Sequence, residues 1–342
     1  MAIHRQNLPL SVCHLVSGDL WAGAEVQVYN LLKELHRKNH SLHLCVVVLN
    51  SGELSERLQK TGIEIIILDE NKLSFWQLFI EFRQIIQSKK FDAVHSHRYK
   101  ENIIAALASR YLPNKPLLLQ TVHGLPHYQN GFKGYKMFCY ATIDNIFRSL
   151  FADGSVAVSI DLYDSLKKRK SPENFYCIPN GVDLKHSILK DKKQRFKKTI
   201  AVAGRLTPVK NFQYFLRSIP KILDSRNDLH FLVIGEGPER SALEQLSSQL
   251  GIEECVEFTG HVEDMSLIWP KVDIYVLCSR HEGLSIALLE ALSHGILVVA
   301  TAVGGNTEVV QHGVNGLLIP VNSPEAIAEG CLNILQASAE QR

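Results

Sequence analysis

The chain has 342 residues, 46% of them hydrophobic and 21% charged, the profile of a globular protein with room for two domains of about 150 residues each. No apolar run approaches the roughly 18 residues that a membrane-spanning helix needs. The start, MAIHRQNLPLSVCHLV, lacks the long apolar region of a signal peptide, so the sequence predicts a cytoplasmic chain. Seven scattered cysteines with no C-x-x-C pair predict reduced, mostly buried thiols and no zinc site. The net charge of +2 hides an asymmetry: residues 1–198 carry 28 Lys/Arg against 18 Asp/Glu, residues 199–342 carry 9 against 17. A basic half of this kind suits an anionic substrate, nucleic acid or the surface of an anionic membrane.

In chain order, strands are predicted at Ser11–Val16, His43–Leu49, Glu64–Leu68, Ala93–His97, Leu117–His123, Ser155–Ser159 and Phe175–Pro179, with helical patterns between them. In Ala24–Arg37, for example, Val28, Leu31, Leu32 and Leu35 form a stripe at spacings of three and four. A connector follows, DLKHSILKDKKQRFKKT, in which seven residues from Lys185 to Lys198 are basic and only Asp191 is acidic. The alternation then restarts with TIAVAGR, a helix from Asn211, HFLVIGEG, a helix from Pro238, VEFTG, DIYVLCS, a helical stretch reaching Glu290, and ILVVATAV. Buried strands alternating with helices imply an α/β fold with parallel, doubly wound sheets. The reading is two Rossmann-like domains: residues 1–183, a basic linker 184–198, and residues 199–342. Ligands of such sheets bind beyond the carboxyl ends of the strands, so two facing domains would set their loops across one cleft.

Four loops at strand ends offer groups suited to a nucleoside diphosphate. GRLTPVKN carries the cations Arg205 and Lys210; GEGPE carries Gly235 and Gly237, a weak signal without a third glycine. AVGGNTEVV places Gly304 and Gly305 between a strand and a helix, where free amides favour an anion. The fourth, CSRHEGLSIALLEALSHG, keeps Glu282 and Glu290 around an apolar run. A buried carboxylate needs a partner, which is either a structural cation or a ligand. If both were helical they would lie about 12 Å apart along the axis, wider than the roughly 5–9.5 Å of a glycosidase pair. Glu282 precedes Gly283 and belongs to the loop, and one ligand with hydroxyls at both ends suits the pair. A sugar nucleotide has that shape. His95 and His97 sit two apart on one strand face, with no third metal ligand evident. Lys167–Lys170 has no interleaved aromatics, so it reads as a solvated or membrane-facing patch and not as a nucleic-acid site.

Taken together, Glu282-(x7)-Glu290 followed by EALSHGILVVATAVGGNTEVV, GRLTPVKN, IGEGPE and IPNGVD resemble a family 4 retaining glycosyltransferase of GT-B architecture. The resemblance covers most of residues 10–330 and rests on five motifs in order. It implies transfer of a hexose or N-acetylhexosamine from a nucleotide-diphosphate sugar to a glycan or lipid-linked acceptor, as in envelope polysaccharide or lipopolysaccharide synthesis. It implies no cofactor and no catalytic metal, which the lack of a D-x-D motif fits. By resemblance Arg205 and Lys210 neutralise the diphosphate, Glu282 holds hydroxyls of the transferred sugar, Glu290 binds the ribose, and His123 lies beside the sugar. Gly23, Gly235, Gly237, Gly283, Leu284, Gly304 and Gly305 would complete the donor contacts. The sequence departs from the family pattern at Ala22, where a glycine is common, at Leu284-Ser285 in place of Phe-Gly, and in its end at Arg342. Family members continue into a C-terminal helix that packs on the first domain, so a truncated chain or a shorter closing helix is expected. The alternatives are a GT-B nucleotide-sugar epimerase, for which no extra acidic set is found, and a non-catalytic nucleotide-sugar-binding protein. The basic first half predicts peripheral contact with the inner face of an anionic membrane.

Overall fold

The computed structural model describes residues 9–19, 21–38, 41–124, 132–168, 174–184 and 198–340. The chain divides into two compact units, Met1–Pro179 and Asn180–Arg342. Most of the expected basic linker, from Lys185 to Lys197, lies outside the described residues; Lys198 opens a strand.

The first unit is a seven-stranded parallel sheet of β1 (Leu10–Val16), β2 (Leu42–Val48), β3 (Glu64–Ile67), β4 (Ala93–Ser96), β5 (Leu117–Val122), β6 (Gly154–Ala157) and β7 (Phe175–Cys177), in the order β3-β2-β1-β4-β5-β6-β7. Between the strands run α1 (Gly23–Lys38), α2 (Glu53–Gln59), α3 (Phe75–Lys89), α4 (Tyr99–Ser109), α5 (Phe132–Phe151) and α6 (Ile160–Lys167). Side chains of a strand alternate between faces, and β2 shows what that does here. Leu44, Val46 and Val48 pack with Val28 and Leu32 of α1 and Leu54 and Leu58 of α2. Cys45 and Val47 pack on the other face with Leu78, Phe82 and Ile86 of α3 and Ile104 of α4. Both faces are covered, so the strands read as continuous apolar runs.

The second unit repeats this plan with six parallel strands: β8 (Lys198–Ala203), β9 (Leu229–Ile234), β10 (Val256–Gly260), β11 (Ile274–Leu277), β12 (Leu297–Thr301) and β13 (Gly316–Ile319), ordered β10-β9-β8-β11-β12-β13. Its helices are α7 (Phe212–Leu223), α8 (Arg240–Gln249), α9 (Ile286–Ser293), α10 (Asn306–Val309) and α11 (Pro324–Glu340). Ile200, Val202, Phe231 and Val233 face α7 and α11, while Ala201, Ala203, Leu232 and Ile234 face α9 and Trp269. Each unit therefore has one point where strand order reverses, between β1 and β4 and between β8 and β11.

The expected strands reaching His97, His123 and Ser159 stop at Ser96, Val122 and Ala157. These polar residues leave the ladder: Ser159 caps α6 by accepting from the Leu162 amide at 3.2 Å. The helical stretch running to Glu290 begins only at Ile286, capped by Ser285, whose Oγ accepts from the Leu288 amide at 3.4 Å. The expected elements end at ILVVATAV and do not include β13. The six described cysteines are free. Among the described residues no helix is long and apolar enough to cross a membrane.

One ion pair ties α1 to the end of β4. Glu25 is fully buried, and Arg98, which precedes α4, pairs with it and with Asp19, the latter at 3.4 Å. Burial pushes the Glu25 carboxyl up, and the Arg98 charge opposes that. Removing one partner of a buried pair costs about 3–5 kcal/mol, and Arg98, part-exposed, supports the lower end. Arg98→Ala should therefore destabilise the chain by about 3 kcal/mol at pH 7.5. An acid whose folded pKa is raised binds its proton more readily folded than unfolded, so stability is lost as pH rises. The difference from the parent should accordingly be smaller at pH 5 than at pH 7.5, because lower pH favours the neutral Glu25 carboxyl. Urea melts of both proteins at the two pH values measure it.

Candidate active site

In the second unit, the loops leaving β8 and β11 meet beside the reversal point, where ligands of such sheets bind. Arg205 follows β8 and is exposed. Lys210 closes a short 3-10 turn, Pro208–Lys210, and its Nζ donates to Glu282 Oε1 at 2.6 Å. Ser279 Oγ donates to the same oxygen, also at 2.6 Å. The Lys210 and Glu282 side chains are only 21% and 11% exposed, so they form a largely desolvated pair that is weakly screened by water. The backbone holds the two loops in register: the Arg280 amide donates to the Val209 carbonyl at 2.9 Å, and the Cys278 thiol to the Lys210 carbonyl at 3.2 Å. The structure thus brings Lys210 and Glu282, residues expected at a phosphate and at a sugar, into direct contact. Arg205 has no ion-pair partner among the described residues.

The glycines of the site are where loops touch each other. At Gly304 φ is +49°, and a Cβ there would stand 1.9 Å from the Glu282 carbonyl oxygen. At Gly235 φ is +127°, and a Cβ would stand 2.1 Å from the Gly204 carbonyl oxygen. Only glycine combines this backbone with such close approach. Gly237 packs in the same way on Leu206. The Gly305 amide donates to Gly283 at 2.7 Å, and the Gly235 amide to Gly260 at 2.8 Å, so neither N–H is open to an anion. The buried Leu284 accepts from Asn180 Nδ2 at 2.8 Å through its carbonyl. In the first unit Gly23 opens α1, and a Cβ there would meet nothing within 4 Å; packing places no demand for glycine at that position.

Glu290 lies on α9, five residues past the Ser285 cap. Its partner is neither Arg nor Lys: Trp269 Nε1 donates to Glu290 Oε2 at 3.1 Å, and no cation pairs with it among the described residues. Burial raises its pKa, the Trp269 hydrogen bond opposes the rise, and Asp264 adds to it. Thr301, at the end of β12, donates to the Ser279 carbonyl at 2.7 Å and accepts, through its own carbonyl, from Asn306 Nδ2 at 3.0 Å. The loops after β11 and β12 are fixed to each other in this way. Trp269 and Thr301 are not legible as site residues, because their partners lie 21 and 22 residues away, and Ser279 bonds Glu282 only through the local fold of one loop. Asn180 belongs to the IPNGVD motif, but its partner lies 104 residues on.

His123 follows β5 in the first unit and stands in a group of imidazoles. His14 of β1 and His95 of β4 are register partners, and His97 follows β4. One nitrogen from each of His14, His95 and His97 lies within 4.8 Å of the others. The sequence offers His95 and His97 without a third member; strand pairing supplies His14, whose only signal is a histidine inside the apolar run SVCHLV. Burial lowers all four: His95 to about 4, His123 to about 3, and His14 and His97 well below the usual range, with neighbouring imidazoles and Arg98 adding to the effect on His97. The rings are neutral at pH 7.

The model for glycosyl transferases group 1 matches residues 197–337, and that for glycosyltransferase family 4 matches residues 21–186. An uncharacterised glycosyltransferase of Methanocaldococcus jannaschii is 37% identical over 140 residues, 40% of this chain and 36% of that protein. The chain therefore spans about a third of that relative's length. The UDP-Gal:α-D-GlcNAc-diphosphoundecaprenol α-1,3-galactosyltransferase of Escherichia coli is 25% identical, over 91% of this chain and 87% of its own. Among solved structures, Anabaena HepE in complex with UDP and glucose superposes with a TM-score of 0.82 at 18% identity, covering 96% of this chain and 91% of that one.

The loop contacts at Gly304 make a direct test of this geometry. Gly304→Ala adds a Cβ that overlaps the Glu282 backbone at a left-handed residue, a strain of about 1–3 kcal/mol. The variant should melt several degrees lower. Thermal stabilisation by a nucleotide sugar should fall more than this loss of stability explains, because Glu282 is displaced. Scanning fluorimetry with and without nucleotide sugar compares the two effects.

Proposed function

Because the chain belongs to the family 4 glycosyltransferases of GT-B fold, we propose that it moves a hexose or N-acetylhexosamine from a nucleotide-diphosphate sugar to a glycan or lipid-linked acceptor, with retention of anomeric configuration and without a metal. The observation that carries this reading is the contact between Lys210 and Glu282, with the exposed Arg205 five residues earlier in the same loop as Lys210. In a sugar nucleotide the β-phosphate is bonded to the anomeric carbon, so phosphate and sugar ligands must adjoin. Lys210 faces the phosphate side of that junction. Glu282 keeps Oε2 for sugar hydroxyls while Oε1 is held by Lys210 and Ser279. Arg205 adds the second cation. As the glycosidic bond breaks, charge gathers on the leaving diphosphate, and cations already fixed there stabilise it without reorganisation. These two side chains supply what a metal supplies elsewhere.

Glu290 is assigned to the ribose. Its Oε2 is occupied by Trp269, which orients the carboxylate, and Oε1 takes a ribose hydroxyl. His123 is assigned to the transferred sugar. The name of the E. coli relative carries a UDP-sugar donor and a diphosphoundecaprenol acceptor, which favours a lipid-linked acceptor in envelope polysaccharide or lipopolysaccharide synthesis here. A lipid-linked acceptor would bring the basic first half to an anionic membrane, where Lys167 and Lys168 are exposed.

Arg205→Ala should lower kcat roughly 100-fold, in line with removal of one preorganised transition-state donor, while the donor KM moves only a few-fold. An effect confined to KM would limit Arg205 to docking the ground state. Glu290→Gln keeps an acceptor for Trp269 and should raise donor KM about 10-fold, as expected for losing a charged hydrogen bond of about 1.5 kcal/mol, with the melting temperature unchanged. Steady-state kinetics with radiolabelled donor reads both. For the membrane, cosedimentation with acidic vesicles should be weak, absent with neutral vesicles, and lost in high salt, since each basic residue near the surface adds about 1 kcal/mol and is screened. Equal recovery with both lipids, or none with either, points to an acceptor away from the membrane.

A further inference from the structure

The imidazoles under His123 are arranged head to head. His14 Nδ1 and His97 Nε2 are 3.1 Å apart, with ring centroids at 5.4 Å and planes 18° apart. His97 Nδ1 and His123 Nε2 are 3.4 Å apart, with centroids at 5.6 Å and planes 33° apart. In each pair the centroid separation exceeds the nitrogen separation by about the sum of two ring radii, so the nitrogens point at one another along a common line. Two imidazoles on one metal ion instead aim at a third point between them. His95 stacks on His97 at 4.4 Å and 26°, and its Nε2 lies 2.8 Å from Thr121 Oγ1, so it acts as a plate beside the line and aims elsewhere. The geometry therefore describes hydrogen bonds in preference to a chelate.

A neutral imidazole has one N–H and one lone pair. His97 uses both nitrogens, so its donation to one neighbour requires acceptance from the other, and the hydrogens along the line all run one way. Either every ring carries its hydrogen on Nε2 or every ring carries it on Nδ1. Free histidine favours the Nε2–H form, and three rings add that preference. The geometry points to an imidazole wire in which His123 Nε2–H donates to His97 and His97 Nε2–H donates to His14, leaving His123 Nδ1 as a hydrogen-bond acceptor. His14 and His97 are positioning residues that act through His123. Resting on the proposed place of His123 beside the transferred sugar, the wire selects a sugar hydroxyl that donates to that nitrogen. Which ring nitrogen carries hydrogen is set by the bond the other makes, and here that setting comes from a residue two rings away.

Long-range 15N–1H correlation spectra of the full chain, labelled with 15N-histidine at pH 7.5 and without substrate, test the wire. His14, His97 and His123 should all show the Nε2–H pattern. In His14→Phe the His97 Nε2–H loses its acceptor, so His97 and His123 should both switch to Nδ1–H. In His14→Asn, whose Oδ1 stands in for Nδ1, the parental pattern should persist. Donor KM should rise about 10-fold in the Phe variant and recover in the Asn variant. An Nδ1–H pattern at His97 in the parent, an unswitched His123 in His14→Phe, or His14, His95 and His97 resonances moved together by one equivalent of zinc would each overturn the wire. The parental spectrum alone decides it if the Phe variant does not fold. A tautomer switch with no change in KM would leave the wire standing and remove His123 from the sugar.

Discussion

Burial of both faces of two parallel sheets is the constraint from which the rest of this molecule follows. Alternate residues of β2 and β8 are committed to opposite helical layers, so these strands have no free side chain for chemistry. Polar groups gather at the strand ends and, as His14 and His95, inside the last residues of β1 and β4. At the carboxyl ends near each order reversal, neighbouring loops leave on opposite sides of the sheet and open a space between them. In the second unit that space gathers Arg205, Lys210, Ser279 and Glu282; in the first it gathers the imidazoles.

The two sites use that space under opposite electrostatic regimes. Around Lys210 and Glu282 opposite charges are kept side by side and largely out of water, where their field is strong. The pair is held by hydrogen bonds within the protein, so its geometry is preorganised. Around His97 the same desolvation removes charge, because among the described residues the four close imidazoles have no carboxylate as a hydrogen-bond partner. Neutral rings then interact through hydrogen-bond direction, not through Coulomb attraction. Glu290 is intermediate: a part-buried carboxylate with one oxygen held by a neutral indole N–H.

Glycine serves a mechanical purpose here. Gly304 and Gly235 permit one loop to lie against the backbone of another, at 1.9 and 2.1 Å from where a Cβ would be. The resulting stack of loops, with Thr301, Asn306 and Asn180 bonded across it, fixes the carboxylate of Glu282 through its main chain. The glycine-rich loops shape the site, and at Gly235 and Gly305 their amides are spent within the protein.

Periodicity by itself determined the doubly wound fold and the placement of nearly every strand, because burial of both faces writes itself into the sequence as apolar runs. The motifs also marked Arg205, Lys210, Glu282 and Glu290, since fixed charges beside strand ends and inside apolar stretches stand out locally. Pairing is a different matter. That Lys210 bonds Glu282, that Trp269 answers Glu290, and that His14 joins His97 depend on which strands lie side by side. Strand order is set by crossovers tens of residues long, and no local spacing encodes it. Tertiary structure alone decided these partners, and with them whether a buried group is charged, neutral or aimed.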